Sequence, residues 1–342
     1  MDWICGIQNA INYIENHLTD EIDYEEVAKQ SFSSGYHFQR IFGILCGYTL
    51  GEYIRLRRLS LAGAELANEK AKVIDVAMKY GYDSPDSFAK AFQKFHGITP
   101  SEARRNGQML KSFSRLSIQI ILKGGSTMNY RIEEKEEMIL TGYKRHFSGV
   151  PGERAEQEEE MYVKTRPLQY ILQALSGDHV SNFDVITNID DNGYDFYIAS
   201  RLTEYYRNNL NKDEVLGKEF AGYYQNITIP KCTYAIFETE RCAYPTLIFL
   251  ELRKKIASEW LPNSGYQLKN APELVVTHWY RGEKRNQRYR ELWIPIENDS
   301  FLPRFGGAFF PAVQFLMPHV AVKTVARAIY MFACNYPSFA FK

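Results

Sequence analysis

The stretch VAKQSFSSGYHFQRIFGILCGYTLGEYIR, Val27 to Arg55, returns about fifty residues later as VAMKYGYDSPDSFAKAFQKFHGITPSEARR, Val76 to Arg105. With a one-residue slip in the turn, Phe38, Arg40, Phe42, Gly47, Thr49 and Glu52 lie over Phe88, Lys90, Phe92, Gly97, Thr99 and Glu102. The repeat is one of structure and chemistry: a turn, then a helix with a buried aromatic stripe and a polar face. Many-copy repeats build solenoids, whereas two copies without a third argue for a paired device. Two helix-turn-helix units, each aiming one helix at a major groove, fit that description.

Outward from the pair, the first 110 residues read as almost wholly helical. Ile7, Ile11, Ile14 and Leu18 recur at three- and four-residue steps, the mark of an amphipathic helix. Asp23 can cap a short helix over 24–30, whose first turn holds Glu25 and Glu26, where the helix dipole favours acids. Ser33 and Ser34 precede a helix over 35–45 that buries Phe38, Ile41, Phe42 and Leu45 and leaves Tyr36, His37, Gln39 and Arg40 on or near its open face. A long helix over 50–66 carries Arg55, Arg57 and Arg58. The second copy follows with a helix over 73–80, a turn at 81–84 and a helix over 85–95, opened by Pro85 where proline costs no hydrogen bond.

Residues 7–106 resemble the DNA-binding domain of the AraC/XylS transcription regulators, most clearly in YEEVAKQSFSSGYHFQRIFGILCGYTLGEYIRLRRL and VIDVAMKYGYDSPDSFAKAFQKFHGITPSEAR. The resemblance implies an all-α domain in which a stiff central helix joins two helix-turn-helix units. It implies DNA-facing roles for Tyr36, Gln39 and Arg40, with His37 beside them, and for Pro85, Asp86, Ser87, Ala89 and Lys90 in the second unit. Pro85, Asp86 and Ala89 depart from the amides and hydroxyls common there, which leaves base readout by that helix to Ser87 and Lys90. Chemistry agrees, because Gln pairs with adenine and Arg with guanine, each worth about 1–3 kcal/mol of discrimination. Arg55, Arg57, Arg58, Lys94, Arg104 and Arg105 are candidate phosphate contacts, weighed against a plain role as solvated charges. Tyr36 and His37 have packing near the helix cap as their plainer role. Promoter DNA and RNA polymerase are the partners the resemblance implies, with binding as a monomer or homodimer.

At 342 residues the chain has room for two domains. Its 41 basic and 41 acidic residues cancel, and acids at 15, 20, 21, 23, 25 and 26 offset the basic side chains nearby, so any DNA-binding face must be local. Five scattered cysteines, at 5, 46, 232, 242 and 334, form no CxxC pair, which argues against zinc ribbons and for reduced thiols. The acid at position 2 and the lack of an apolar run of about 20 residues lead us to expect a soluble, cytoplasmic protein with no membrane span and no metal or cofactor.

Composition shifts after residue 106, and the expected division is a DNA-binding domain over 1–108, a linker over 109–127 containing Gly124-Gly125-Ser126, an α+β domain over 128–298, and an apolar, proline-broken extension over 299–342. Strands are expected over 138–147, 194–202, 232–238, 274–280 and 290–296, and helices over 155–174 and 245–260, as two similar strand-helix halves around one sheet. GYDFYIASRL, IPKCTYAIFET, WLPNSGYQLKNAPELVV and YRELWIPIE resemble the GyrI-like effector-binding domain found in Rob-type regulators and multidrug sensors. That resemblance implies a cleft with an acid at Glu291 and aromatic walls among Trp293, Trp279, Tyr197, Tyr143 and Tyr234, suited to a cationic or amphipathic effector. Core packing is the plainer role for each ring. Trp293 stands two residues from Glu291, hence on the same strand face. His278 has no partner spacing for a metal. No P-loop, GxGxxG, HExxH or GxSxG motif is present, so the expectation is a sensor rather than an enzyme, with hydrolysis or sequestration in the cleft as the alternative.

Overall fold

Serine and glycine punctuate both repeat copies in the same way. The structure, a computed structural model, describes residues 3–298 other than 69–70, 106, 119–126, 152–154, 179–180, 217 and 220. The apolar extension and the glycine pair of the linker lie outside the described residues. The N-terminal region holds α1 (Trp3–Asn16), α2 (Tyr24–Lys29), α3 (Gly35–Cys46), α4 (Leu50–Leu66), α5 (Val73–Lys79), α6 (Pro85–His96) and α7 (Pro100–Ala103). Ser34 and Ser84 cap α3 and α6, their hydroxyls accepting the backbone N–H of His37 at 3.3 Å and of Ser87 at 3.2 Å. Gly47 and Gly97 end those helices at φ 76° and 85°, a left-handed turn that glycine adopts without a Cβ clash. Thr49 and Thr99 then cap α4 and α7.

Each unit closes on an aromatic pair. Phe38 and Phe42 meet at 5.8 Å between ring centroids and Tyr53 joins them, while Phe88 and Phe92 meet at 5.4 Å. After α7 the chain runs back along the helices as an extended strap. Its amides donate to His96 Nδ1 (from Lys111, 3.2 Å), Ser60 Oγ (from Phe113, 3.0 Å) and the Tyr53 hydroxyl (from Leu116, 3.2 Å).

The C-terminal region contains β1 (Tyr130–Lys135), β2 (Met138–Phe147), α8 (Ala155–Lys164), α9 (Arg166–Ser176), β3 (Ser181–Asp190), β4 (Gly193–Ser200), α10 (Glu204–Asn209), α11 (Asp213–Leu216), β5 (Gln225–Ile229), β6 (Cys232–Glu238), α12 (Thr246–Lys255), a π-helical turn Ile256–Trp260, α13 (Leu261–Ser264), β7 (Tyr266–Leu268), β8 (Glu273–His278), a 3-10 turn Gly282–Gln287 and β9 (Tyr289–Asn298). The strands form one sheet in the order β1-β6-β9-β8-β3-β4-β2-β5, with β7 on β9 and every pairing antiparallel. Two halves, β2-helix-β3-β4 and β6-helix-β8-β9, meet at the β3–β8 pair, and each lends its preceding strand to the edge of the other. The chain is therefore a helical region followed by a sheet-rich one.

Strand alternation gives the sheet two faces. One carries Leu140, Val185, Tyr197, Tyr234, Leu274 and Trp293. The other packs α8 and α9 on Tyr143, Phe147, Ile186 and Phe196 at one end. At its opposite end Phe237, Val275, Leu292 and Ile294 share one continuous core with Trp260, Leu268 and the first helix-turn-helix unit, including Phe38, Ile41 and Phe42. The second unit keeps a core of its own around Leu59, Val76, Phe88 and Phe92.

Candidate functional site

Equivalent positions on α3 and α6 have opposite environments. On α6, Asp86, Ser87, Lys90 and Lys94 are exposed, as are Pro85, Arg55 on α4 and Arg104 and Arg105 beyond α7, while Ala89 is half-buried. The Ser87 hydroxyl donates to the Ser84 carbonyl at 2.9 Å, so it also stabilises the cap. On α3, Arg40, the counterpart of Lys90, is buried with a side chain only 4% exposed.

Arg40 and Arg253 converge on Glu273, which lies at the start of β8. Arg40 Nη2 pairs with Glu273 Oε2, and Arg253 Nη2 stands 2.8 Å from Oε1 and 3.1 Å from Oε2. Arg253 also donates to the Pro151 carbonyl at 2.9 Å. Burial alone would raise the pKa of Glu273, but Arg253 and then Arg40 hold it below the usual carboxylate range. His37 is buried too, its Nδ1 accepting the Leu268 amide at 3.0 Å. Tyr36 packs with Ile41 and Ile44 against Ile256, Leu261 and Leu268, and burial pushes its hydroxyl pKa up.

These positions correct the expectation of an open first reading face: in this structure Arg40, His37 and much of Tyr36 are turned into the sheet-rich region. The cause is tertiary, an acid and an apolar shelf more than two hundred residues away. Gln39 is half-buried and borders a cavity of about 290 Å³ that Glu25, Thr49, Leu50, Val150, Asp190 and Asp191 also line. Beside it, Gly51 at the start of α4 donates its amide to Asp191 Oδ1 at 3.1 Å, and the Tyr24 hydroxyl bonds the same carboxylate. Arg57 and Arg58 are likewise structural. Arg57 forks onto Glu15 at 2.8 and 2.9 Å, and Arg58 donates to the carbonyls of Leu18 at 2.8 Å and Asp20 at 2.6 Å.

On the sheet face opposite α8, α9 and α12, Glu291, Trp293, Tyr197 and Tyr234 come together. Trp293 Nε1 donates to Glu291 Oε2 at 2.7 Å, and Arg131 Nη2 donates to Oε1 at 3.0 Å. His278 Nε2 lies 3.7 Å from that oxygen, beyond hydrogen-bond distance. Burial opposes ionisation of Glu291, but the donors around it outweigh that and hold its pKa at about 2. Trp293 meets Tyr234 at 5.9 Å and Phe183 at 6.4 Å, and the Lys135 ammonium sits 4.6 Å over the Trp293 ring. The three wall aromatics are almost fully buried, at 8% for Tyr197, 0% for Tyr234 and 9% for Trp293.

Tyr143 and Trp279 are not part of this wall. Tyr143 points to the opposite face, where its hydroxyl accepts from Thr165 at 2.7 Å. Trp279 follows β8 and stacks under the Arg288 guanidinium at 3.9 Å. Sequence reasoning missed Arg131 and Lys135, although the alternation of charge through Arg131, Glu133 and Lys135 on β1 was the signal that could have found them. Among the described residues, no cluster of three or more His, Cys, Asp or Glu side chains could hold a metal, and no helix is long and apolar enough to cross a membrane.

Two like-capped helix-turn-helix units joined by one 17-residue helix define a DNA-binding regulator of transcription. Comparison with known proteins agrees. The helix-turn-helix domain family matches residues 27–106. The transcriptional activator AarP of Providencia stuartii is 42% identical over 28% of this chain and 70% of its own length. The regulatory protein SoxS of Salmonella typhimurium is 40% identical over 29% of this chain and 92% of its own. A solved putative transcription regulation protein from Staphylococcus aureus MU50 aligns with 50% of this chain and all of its own, at 17% identity and a TM-score of 0.37. The chain belongs to the AraC family of helix-turn-helix transcription regulators.

Proposed function

We propose that this regulator reads promoter DNA through Ser87 and Lys90 on α6 and, in a second conformation, through Gln39 and Arg40 on α3, and that its sheet-rich region is a GyrI-like sensor of a small cationic or amphipathic effector. Lys94, Arg55 and Arg105 supply phosphate contacts around α6. The effector reading rests on one observation: the ammonium of Lys135 lies on the face of Trp293 beside the Glu291 carboxylate. The protein's own cation occupies the position the proposed guest would take, on an aromatic face worth about 0.5–2 kcal/mol to a cation and next to an ionised acid. A guest would displace Lys135 and Arg131, and by binding two arrangements unequally it would shift the balance between them.

Two measurements test the two halves. Duplex binding by Lys94→Ala, the phosphate contact on α6, should lose affinity on every sequence across a salt series, with a log–log salt slope about 1 smaller than wild type, whereas Lys90→Ala should relax discrimination between sequences. An unchanged slope and affinity would remove α6 from the interface. A thermal-shift titration with tetraphenylphosphonium should raise Tm, since at 100-fold over Kd a ligand adds about 2.7 kcal/mol of stability. Equal shifts in wild type and Glu291→Gln, or none in either, would rule out this face as the effector site.

A further inference from the structure

We propose that the sheet-rich region restrains DNA binding by imitating it: Glu273 and Asp191 present carboxylates to the groups of the first unit that would otherwise meet the duplex. The proposal rests on the reading of α3 as a DNA-reading helix and adds what that helix does when no duplex is bound.

Three features carry it. Arg40 is the register partner of exposed Lys90, yet its guanidinium is buried on Glu273, an acceptor pair like the base edges and phosphates arginine recognises. The amide of Gly51 in the first turn of α4 donates to Asp191, and such helix-terminal N–H groups are backbone-phosphate ligands in protein–DNA complexes. Gln39, Thr49 and Leu50 line the same cavity as Asp190 and Asp191, so the reading side chain and the α4 terminus face one acidic wall. A helix must insert a face into the major groove to read it, and with Tyr36, Ile41 and Ile44 seated on Ile256, Leu261 and Leu268 that face of α3 is taken. A half-open cleft of about 290 Å³ lies between these residues, so solvent reaches one side of the seam between the two regions. The seam also carries Arg40, Glu273 and Asp191, groups that water solvates when the two regions part.

The consequence is that the docked chain engages one major groove through α6, and the parted chain engages two. A lock and a release test it on the full chain. An ideal Cβ on Gly51 would stand 3.0 Å from Asp191 Cγ, so the pair Gly51→Cys with Asp191→Cys is placed to form a disulfide across the interface. Binding to a mixed-sequence 24-base-pair duplex is then compared before and after reduction, with wild type as the redox control and thiol titration confirming the bridge. The locked form should bind about tenfold or more weaker than its reduced form, because removing the competent conformer lowers apparent affinity by its lost fraction. Its salt slope should be smaller by up to about 1, because the Arg40 guanidinium no longer reaches the duplex, whereas Gln39 and the Gly51 amide carry no charge and release no counterion. Equal affinity and slope in the two redox states would overturn the proposal. In the opposite direction, Asp191→Asn with Glu273→Gln, checked for folding by circular dichroism, should bind more tightly and with a steeper slope than wild type. Binding no tighter than wild type in that folded variant would also overturn it. Wild type that binds no duplex at all would instead refute the DNA-reading assignment itself.

Discussion

Replacing Glu273 by leucine removes the counter-ion of two buried guanidiniums at once. The side chains of Arg40, Arg253 and Glu273 are at most 6% exposed, so solvent offers little screening. Removing one partner of such a buried pair costs about 3–5 kcal/mol, because a charge is left without compensation. With a urea slope of about 3 kcal/mol/M, that moves the unfolding midpoint down by about 1–1.7 M. The arginines can regain water if the two regions part, so the loss stops at the free energy of docking; hydrogen exchange at the α3 amides would then report parting ahead of unfolding. The control is Glu26→Ala, which breaks the exposed pair with Lys29 and should cost less than about 1 kcal/mol. Urea melts followed by both tryptophan fluorescence and circular dichroism give the comparison, with Trp260 in the core that the first unit and half of the sheet share reporting their parting. A Glu273→Leu loss no larger than that of the control would refute the buried cluster and the docking built on it.

Two further outcomes follow from titratable groups elsewhere. Burial raises the Asp184 carboxyl pKa to about 7, above its ordinary 3.8, so the folded state keeps a proton that the unfolded chain releases. Stability from this group is full below about pH 4, declines as pH rises through the window up to 7, and is flat above it; Asp184→Asn should flatten that part of a Tm-against-pH curve, and an unaltered curve would count against the buried, protonated acid. Burial also pushes the Cys46 thiol to about 12 while Cys5 is exposed. Peptide mapping after a thiol reagent should therefore find Cys5 labelled in the native protein and Cys46 labelled only after unfolding, and native labelling of Cys46 would contradict the packing of α3.

What could be read from the sequence was local. Serine before α3 and α6 and glycine after each act over a single turn, so the repeat places α3, α4 and α6 nearly to the residue, while the short α7 was not legible. The strands rich in branched and aromatic residues, such as β2, β6 and β9, were equally legible. Charged β1 and polar β5 were not, because their partners, rather than their own side chains, supply the apolar surface. The wall around Glu291 shows the same division. The i, i+2 relation to Trp293 is a property of any strand, but the placing of Tyr143 on the far face required the cross-strand register Tyr143–Ile198.

Arg40 is the sharpest case. Its identity marks it for the duplex, and its equivalence with Lys90 is written in the repeat, yet its surroundings are decided by Glu273, 233 residues onward. A side chain chosen for acceptors in DNA will pair with any acceptor held in the same geometry, and no local pattern announces which one it meets. The asymmetry between the two units follows from this. Chemistry suited to DNA is repeated along the chain, whereas the carboxylates of Glu273 and Asp191 stand against one unit only, the one whose core the sheet shares. The proposed dual readout and its proposed restraint therefore depend on the same few groups, and a substitution at Arg40 should remove both together.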